Sequence, residues 1–175
     1  MKKIILTVFA ATSLLLYSTP SFAISLSVGV PIGASIKGDD GSEVADGASG
    51  YFLGVQLPFG LGLGMDSHKT TIKDTDGKLK VATSMYNLYY QLPVPVVSLI
   101  LGLGTGNSNY DAPYDKFYDK GAATQWYTSI GFPIIPFFDI HLSYRSITSK
   151  NIKDPDGSKY DVSGTVTGIG LAFNF

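Results

Sequence analysis

The chain contains no cysteine, so no disulfide staples its fold. Charge is scarce as well. Asp, Glu, Lys and Arg make up 15% of the residues, well below the ~25% of an ordinary soluble domain. The 13 basic and 14 acidic residues nearly cancel, which leaves no basic surplus to attract nucleic acid. Long apolar runs are also missing. Hydrophobic residues reach 45% of the chain, yet past the N-terminus no stretch approaches the roughly 20 consecutive apolar residues of a membrane-spanning helix. The hydrophobicity must be dispersed in another pattern.

What is present begins with a leader. Residues 1–23 carry two lysines at Lys2 and Lys3, an apolar run from Ile4 to Leu16, a break at Pro20 and the small-residue end Ser21-Phe22-Ala23. That order marks a secretory signal peptide with cleavage expected after Ala23. The remainder, residues 24–175, is expected to be one domain.

From the first residue after the leader, apolar positions recur at every second place. Ile24, Leu26, Val28, Val30, Ile32, Ala34 and Ile36 alternate with small or polar residues, the signature of a strand with one greasy face. The same alternation runs through Tyr51–Phe59, Leu61–Met65, Ala82–Leu92, Val97–Leu103, Trp126–Phe132, Phe138–Tyr144 and Thr165–Phe175, giving eight strands. Connections alternate in kind. Three are short and proline-rich, at Pro58, at Pro93 and Pro95, and at Pro133 and Pro136; four long polar loops are expected near 38–50, 68–80, 107–121 and 148–161. Tight turns at one end and loops at the other describe an up-and-down meander.

The non-apolar face decides between a soluble and a membrane barrel. It carries Gly54, Gln56, Gly62, Gly64, Asn87, Gln91, Gly102, Gln125, Ser129, Gly168 and Gly170, with few charges, whereas a water-facing surface would hold far more Lys and Glu. The small polar face therefore points into a narrow lumen and the apolar face meets lipid. In hydrocarbon an open sheet edge would strand backbone polar groups at several kcal/mol each, so the first strand is expected to pair with the last. Phe59, Phe132, Phe137, Phe138, Phe173 and Phe175 fall near the tight turns, and Tyr51, Tyr86 and Tyr144 nearer the loops, as interfacial girdles require.

A leader, eight alternating strands and the ending Ile169-x-Leu171-x-Phe173-x-Phe175 resemble the small bacterial outer-membrane barrels of the OmpX and OmpA transmembrane-domain kind. That resemblance implies an all-β, eight-stranded antiparallel barrel in the outer membrane of a Gram-negative bacterium, surrounded by lipid and lipopolysaccharide. It also implies that Ile169, Leu171, Phe173 and Phe175 form the C-terminal signal read by the barrel-assembly machinery. A monomer with no catalytic role, no cofactor and no metal is expected.

Three groups of residues remain as site candidates. Asp66, Asp139, His141 and Arg145 fall on the lumen face, with Lys37 and His68 near its loop end; an ion in so narrow a space needs a partner, so Arg145 is expected to pair with Asp66 or Asp139. His141-Leu142-Ser143 is similar to the His-x-Ser pair of outer-membrane lipid A deacylases of the PagL type, which implies an alternative activity with His141 as base and Ser143 as nucleophile. Tyr144 stands where that family has asparagine, and Pro155 where its glutamate falls. The third loop repeats Tyr-Asp units, and Tyr110, Tyr114, Phe117 and Tyr118 are candidates for binding a surface protein or glycan. Asp74-Thr75-Asp76-Gly77 and Asp154-Pro155-Asp156-Gly157 lack the glutamate of a calcium loop and are expected to be hairpin turns, with strands continuing past the bilayer.

Overall fold

The structure is a computed structural model that describes residues 24–38, 41–74, 77–94, 96–111, 120–135, 137–153 and 159–175; the expected leader lies outside them. Among the described residues nine strands form one antiparallel sheet: β1 (Ser25–Gly38), β2 (Gly41–Val44), β3 (Gly47–Gln56), β4 (Leu61–Asp74), β5 (Gly77–Leu92), β6 (Ser98–Tyr110), β7 (Gly121–Ile135), β8 (Phe138–Lys153) and β9 (Lys159–Asn174). The short β2 pairs with the upper part of β1, and β3 with its lower part, so together they fill one position in an eight-position wall. β1 closes on β9 from Ser25 opposite Asn174 to Lys37 opposite Ser163, which removes both sheet edges.

Alternation assigns the faces as the sequence predicts. Leu63, Tyr86, Leu103 and Trp126 are exposed on the outer wall, at 60%, 70%, 70% and 51%, while Asp66, Asn87, Gln125 and Arg145 are buried inside.

One expectation is extended and one is corrected. Among the described residues, the expected loops at 38–50, 68–80 and 148–161 are mostly strand, continuing past the bilayer as the hairpin tips suggested. β4 and β5 stay paired up to Asp74 opposite Gly77, β1 and β2 to Gly38 opposite Gly41, and β8 and β9 to Lys153 opposite Lys159. Strands of 14 to 16 residues exceed the ~9–11 needed to cross a bilayer, so these hairpins stand beyond it. Polar alternation blurred their extent, because outside the membrane neither face of a strand need be apolar.

The correction concerns β1. Its register shifts between Pro31 and Gly33, a β-bulge that places one extra residue in the strand and reverses its faces. Beyond it Ala34 packs on the interior cluster of Phe52, Ile147 and Val166, and Lys37 is exposed outside rather than lining the lumen. Proline suits such a site because it has no N–H to leave unpaired.

The short turns share a device. Phe59, Val96 and Phe137 have φ of 80°, 76° and 82°, and each follows a proline in the sequence. At Pro58-Phe59 this is the order of a type II turn, with Pro at the first central position and a left-handed residue at the second.

Candidate functional site

The lumen face converges on Arg145. β8 directs its side chain inward at the level where β3, β4 and β7 supply Phe52, Asp66 and Gln125. Arg145 Nε donates to Asp66 Oδ2 at 3.0 Å, and Gln125 Nε2 donates to the same oxygen at 2.7 Å while also bonding Asn87 Oδ1. The guanidinium carbon sits 3.6 Å from the centroid of the Phe52 ring and 4.9 Å from that of Tyr127. Arg145 is 6% exposed and Asp66 1%, so the pair is removed from water and needs every one of these contacts.

A second network occupies the tight-turn end. Gln91 Nε2 donates to Ser98 Oγ at 3.2 Å, and Ser98 Oγ donates to Asp139 Oδ2 at 3.0 Å. His141 Nε2 lies 3.8 Å from Asp139 Oδ2, and His141 Nδ1 lies 3.3 Å from Ser129 Oγ. The expected row of four lumen charges is therefore two separate groups: Asp66 is the partner of Arg145, and Asp139 belongs with His141.

His141 and Ser143 share the lumen face but are not brought together as base and nucleophile. Ser143 Oγ accepts from Arg145 Nη1 and donates to the Gly168 carbonyl at 3.4 Å, while His141 turns to Ser129 and Asp139. A cavity of about 60 Å³ runs beside Arg145, Tyr89, Tyr127, Ser129 and Ser143, room for a few waters and not for an acyl chain.

Sequence reading missed the large inward rings. Phe52, Tyr89 and Tyr127 lie out of phase with the apolar positions around them, and they fill the lumen because glycines stand opposite. Gly62 faces Tyr89, Gly102 faces Tyr127, and a Cβ added to either would fall on the ring. Gly131 gives His141 the same space. The signal was available: an aromatic on the small-residue face with glycine as cross-strand partner.

Of the loop candidates, Tyr110 closes β6, paired with Val81, and is not part of a loop. Tyr114, Phe117 and Tyr118 lie outside the described residues. Ile169, Leu171 and Phe175 are exposed on the outer wall, and the Phe173 ring lies 4.2 Å from that of Phe138. Among the described residues no cluster of three His, Asp or Glu could hold a metal ion.

The family described as "Outer membrane protein beta-barrel domain" matches residues 6–175. No curated protein matches in sequence. Among solved structures, Neisserial surface protein A (NspA) superposes with a TM-score of 0.67 at 14% identity, covering 89% of this chain and 98% of that one. The outer membrane protein AlkL, studied in DMPC bilayers, gives 0.52 at 10% identity, covering 89% and 90%. Ail, the attachment invasion locus protein of Yersinia pestis, gives 0.49 at 18%, covering 87% and 97%. At these identities the likeness is one of fold.

Proposed function

Because the chain belongs to the outer membrane β-barrel family, we propose that it serves as a non-enzymatic surface-interaction and structural protein of a Gram-negative outer membrane, exported by its leader and inserted through its C-terminal strand. The filled lumen carries this reading. Arg145, Asp66, Gln125, Phe52, Tyr89 and Tyr127 occupy the cross-section, so contact with the outside falls to the hairpins that rise past the bilayer. Paired strands present side chains on a fixed frame, which suits recognition of a surface protein or glycan better than a floppy loop.

Residues 111–120, with the Tyr-Asp units, are the segment to test. Cells displaying the full chain should bind host-cell surfaces or a glycan array, and replacing these ten positions with a Gly-Ser linker should abolish that binding while the barrel still inserts. Equal binding by both would take the Tyr-Asp segment out of the binding surface, and no binding by either would leave the protein a structural component alone. A hydrolase acting on lipid A is the lesser reading, since the His141 and Ser143 side chains lie inside the wall and lipid outside it.

A further inference from the structure

The outer wall repeats one vertical order on three separate seams. Between β4 and β5, from the tight-turn end upward, outward pairs run Leu61–Tyr90, Leu63–Leu88, Met65–Tyr86, Ser67–Ser84, Lys69–Ala82 and Thr71–Lys80. Between β7 and β8 they run Phe132–Ile140, Ile130–Leu142, Thr128–Tyr144, Trp126–Ser146, Thr124–Thr148 and Ala122–Lys150, with exposed Lys120 next along the chain. Between β1 and β9, Leu26–Phe173, Val28–Leu171 and Val30–Ile169 give way above the bulge to Gly33–Thr167, Ser35–Thr165 and Lys37–Ser163. Each seam passes from apolar residues to hydroxyls to lysine, with aromatic rings beneath the hydroxyls on the first two.

The heights agree. Lys69 is four pleat repeats above Leu61 and Lys150 five above Ile140, roughly 26–33 Å along the strand at ~3.3 Å per residue, or ~20–25 Å of height after strand tilt. The lysines thus begin where the apolar band ends. The other rim has no counterpart: the turns at 57–61, 92–98 and 132–138 contain no charged residue, and every lysine among the described residues lies toward the hairpin end. Lys37, Lys69, Lys80, Lys120 and Lys150 are all exposed. Lys69 is held by Asp111 at 2.7 Å, and the other four form no ion pair with a described residue.

We propose that these lysines form a collar that binds the phosphate groups of glycolipid headgroups in the outer leaflet. They sit on the side of the wall, below the hairpin tips, at the depth a leaflet's headgroups occupy. Ammonium groups there act as point charges on phosphate, and the Ser and Thr rungs one step below offer hydroxyls to the same headgroup. The collar rests on the barrel lying in the membrane with its hairpins outward, and the test separates the two.

The protein without its leader, refolded into phosphatidylcholine vesicles, should show the heat-dependent gel shift of a barrel; failure to insert would overturn the membrane reading and the collar with it. Adding diphosphoryl lipid A should raise the melting midpoint by several degrees, and phosphate-free lipid A should not. The combined Lys37→Gln, Lys80→Gln, Lys120→Gln and Lys150→Gln variant should keep its midpoint in phosphatidylcholine and lose the rise, and arginine at the same four positions should retain it. A rise unchanged in the glutamine variant, or equal with phosphate-free lipid A, would overturn the collar. Should the glutamine variant not fold, solid-state NMR transfer from lysine ammonium protons to lipid phosphorus decides on the unaltered protein: present at the collar, it supports the assignment; absent, it refutes it.

Discussion

Arg145 shows how one residue fixes the interior. Its charge is desolvated between Phe52 and Tyr127 and neutralised by Asp66, whose carboxylate Gln125 also holds. Removing one member of such a pair leaves the other buried and uncompensated. Arg145→Ala should therefore destabilise the barrel by about 3–5 kcal/mol, measured as urea unfolding in detergent micelles. The double change Asp66→Leu with Arg145→Met should cost much less, because it buries no orphan charge. A loss under about 1 kcal/mol for the single variant would mean that water reaches the pair. The sequence placed both side chains in the lumen through parity, yet left Asp66 and Asp139 as equal partners. Three-dimensional position chose Asp66, since β4 brings it to Arg145 across the lumen whereas Asp139 sits three pleat repeats nearer the rim on Arg145's own strand.

The turns and hairpins carry the lesson at the level of the element. Val96 is a β-branched residue at φ 76° and 84% exposed, so it bears left-handed strain while contributing little packing. Val96→Gly should stabilise the protein by about 1 kcal/mol, the relieved strain exceeding the added unfolded-state freedom, and the urea midpoint should rise. A lower midpoint would mean that the exposed valine anchors the turn in the interface. At the opposite end strand continuity was half legible. Ile72, Leu79 and Tyr160 hinted at strands beyond the bilayer, but their neighbours are polar on both faces and period 2 fades where no lipid enforces it. Only the pairing of Asp74 with Gly77 and of Lys153 with Lys159 shows how far the ladders run. The reversal of β1 at Pro31 was invisible for a related reason: Ala34 and Ile36 keep the apolar alternation, and a one-residue bulge changes the face they serve without changing the letters.

Taken whole, the molecule is a closed wall around a filled centre. Among the described residues, the lumen cavities beside Arg145 and beside His68 measure about 60 and 30 Å³, room for a few waters each and too small for a sugar. Vesicles containing the barrel should therefore not swell in isotonic sugar, even at protein densities at which a general porin swells them readily; swelling would show that the Arg145 plug opens. The contrast between a rim without lysine and a lysine-bearing rim belongs to this scale as well, because it emerges only when eight strands are set side by side.

Period 2 in the sequence determined the class of fold, the membrane-facing surface, the direction of every lumen residue below the bulge and the need for closure, since each follows from local alternation and from the cost of unpaired backbone in lipid. Tertiary structure alone decided which charges pair, which rings fill the lumen opposite Gly62 and Gly102, where β1 turns inside out and at what height the lysines align. Those facts depend on register between strands far apart in the chain. Register is set by the closure of the whole barrel, which no single segment contains.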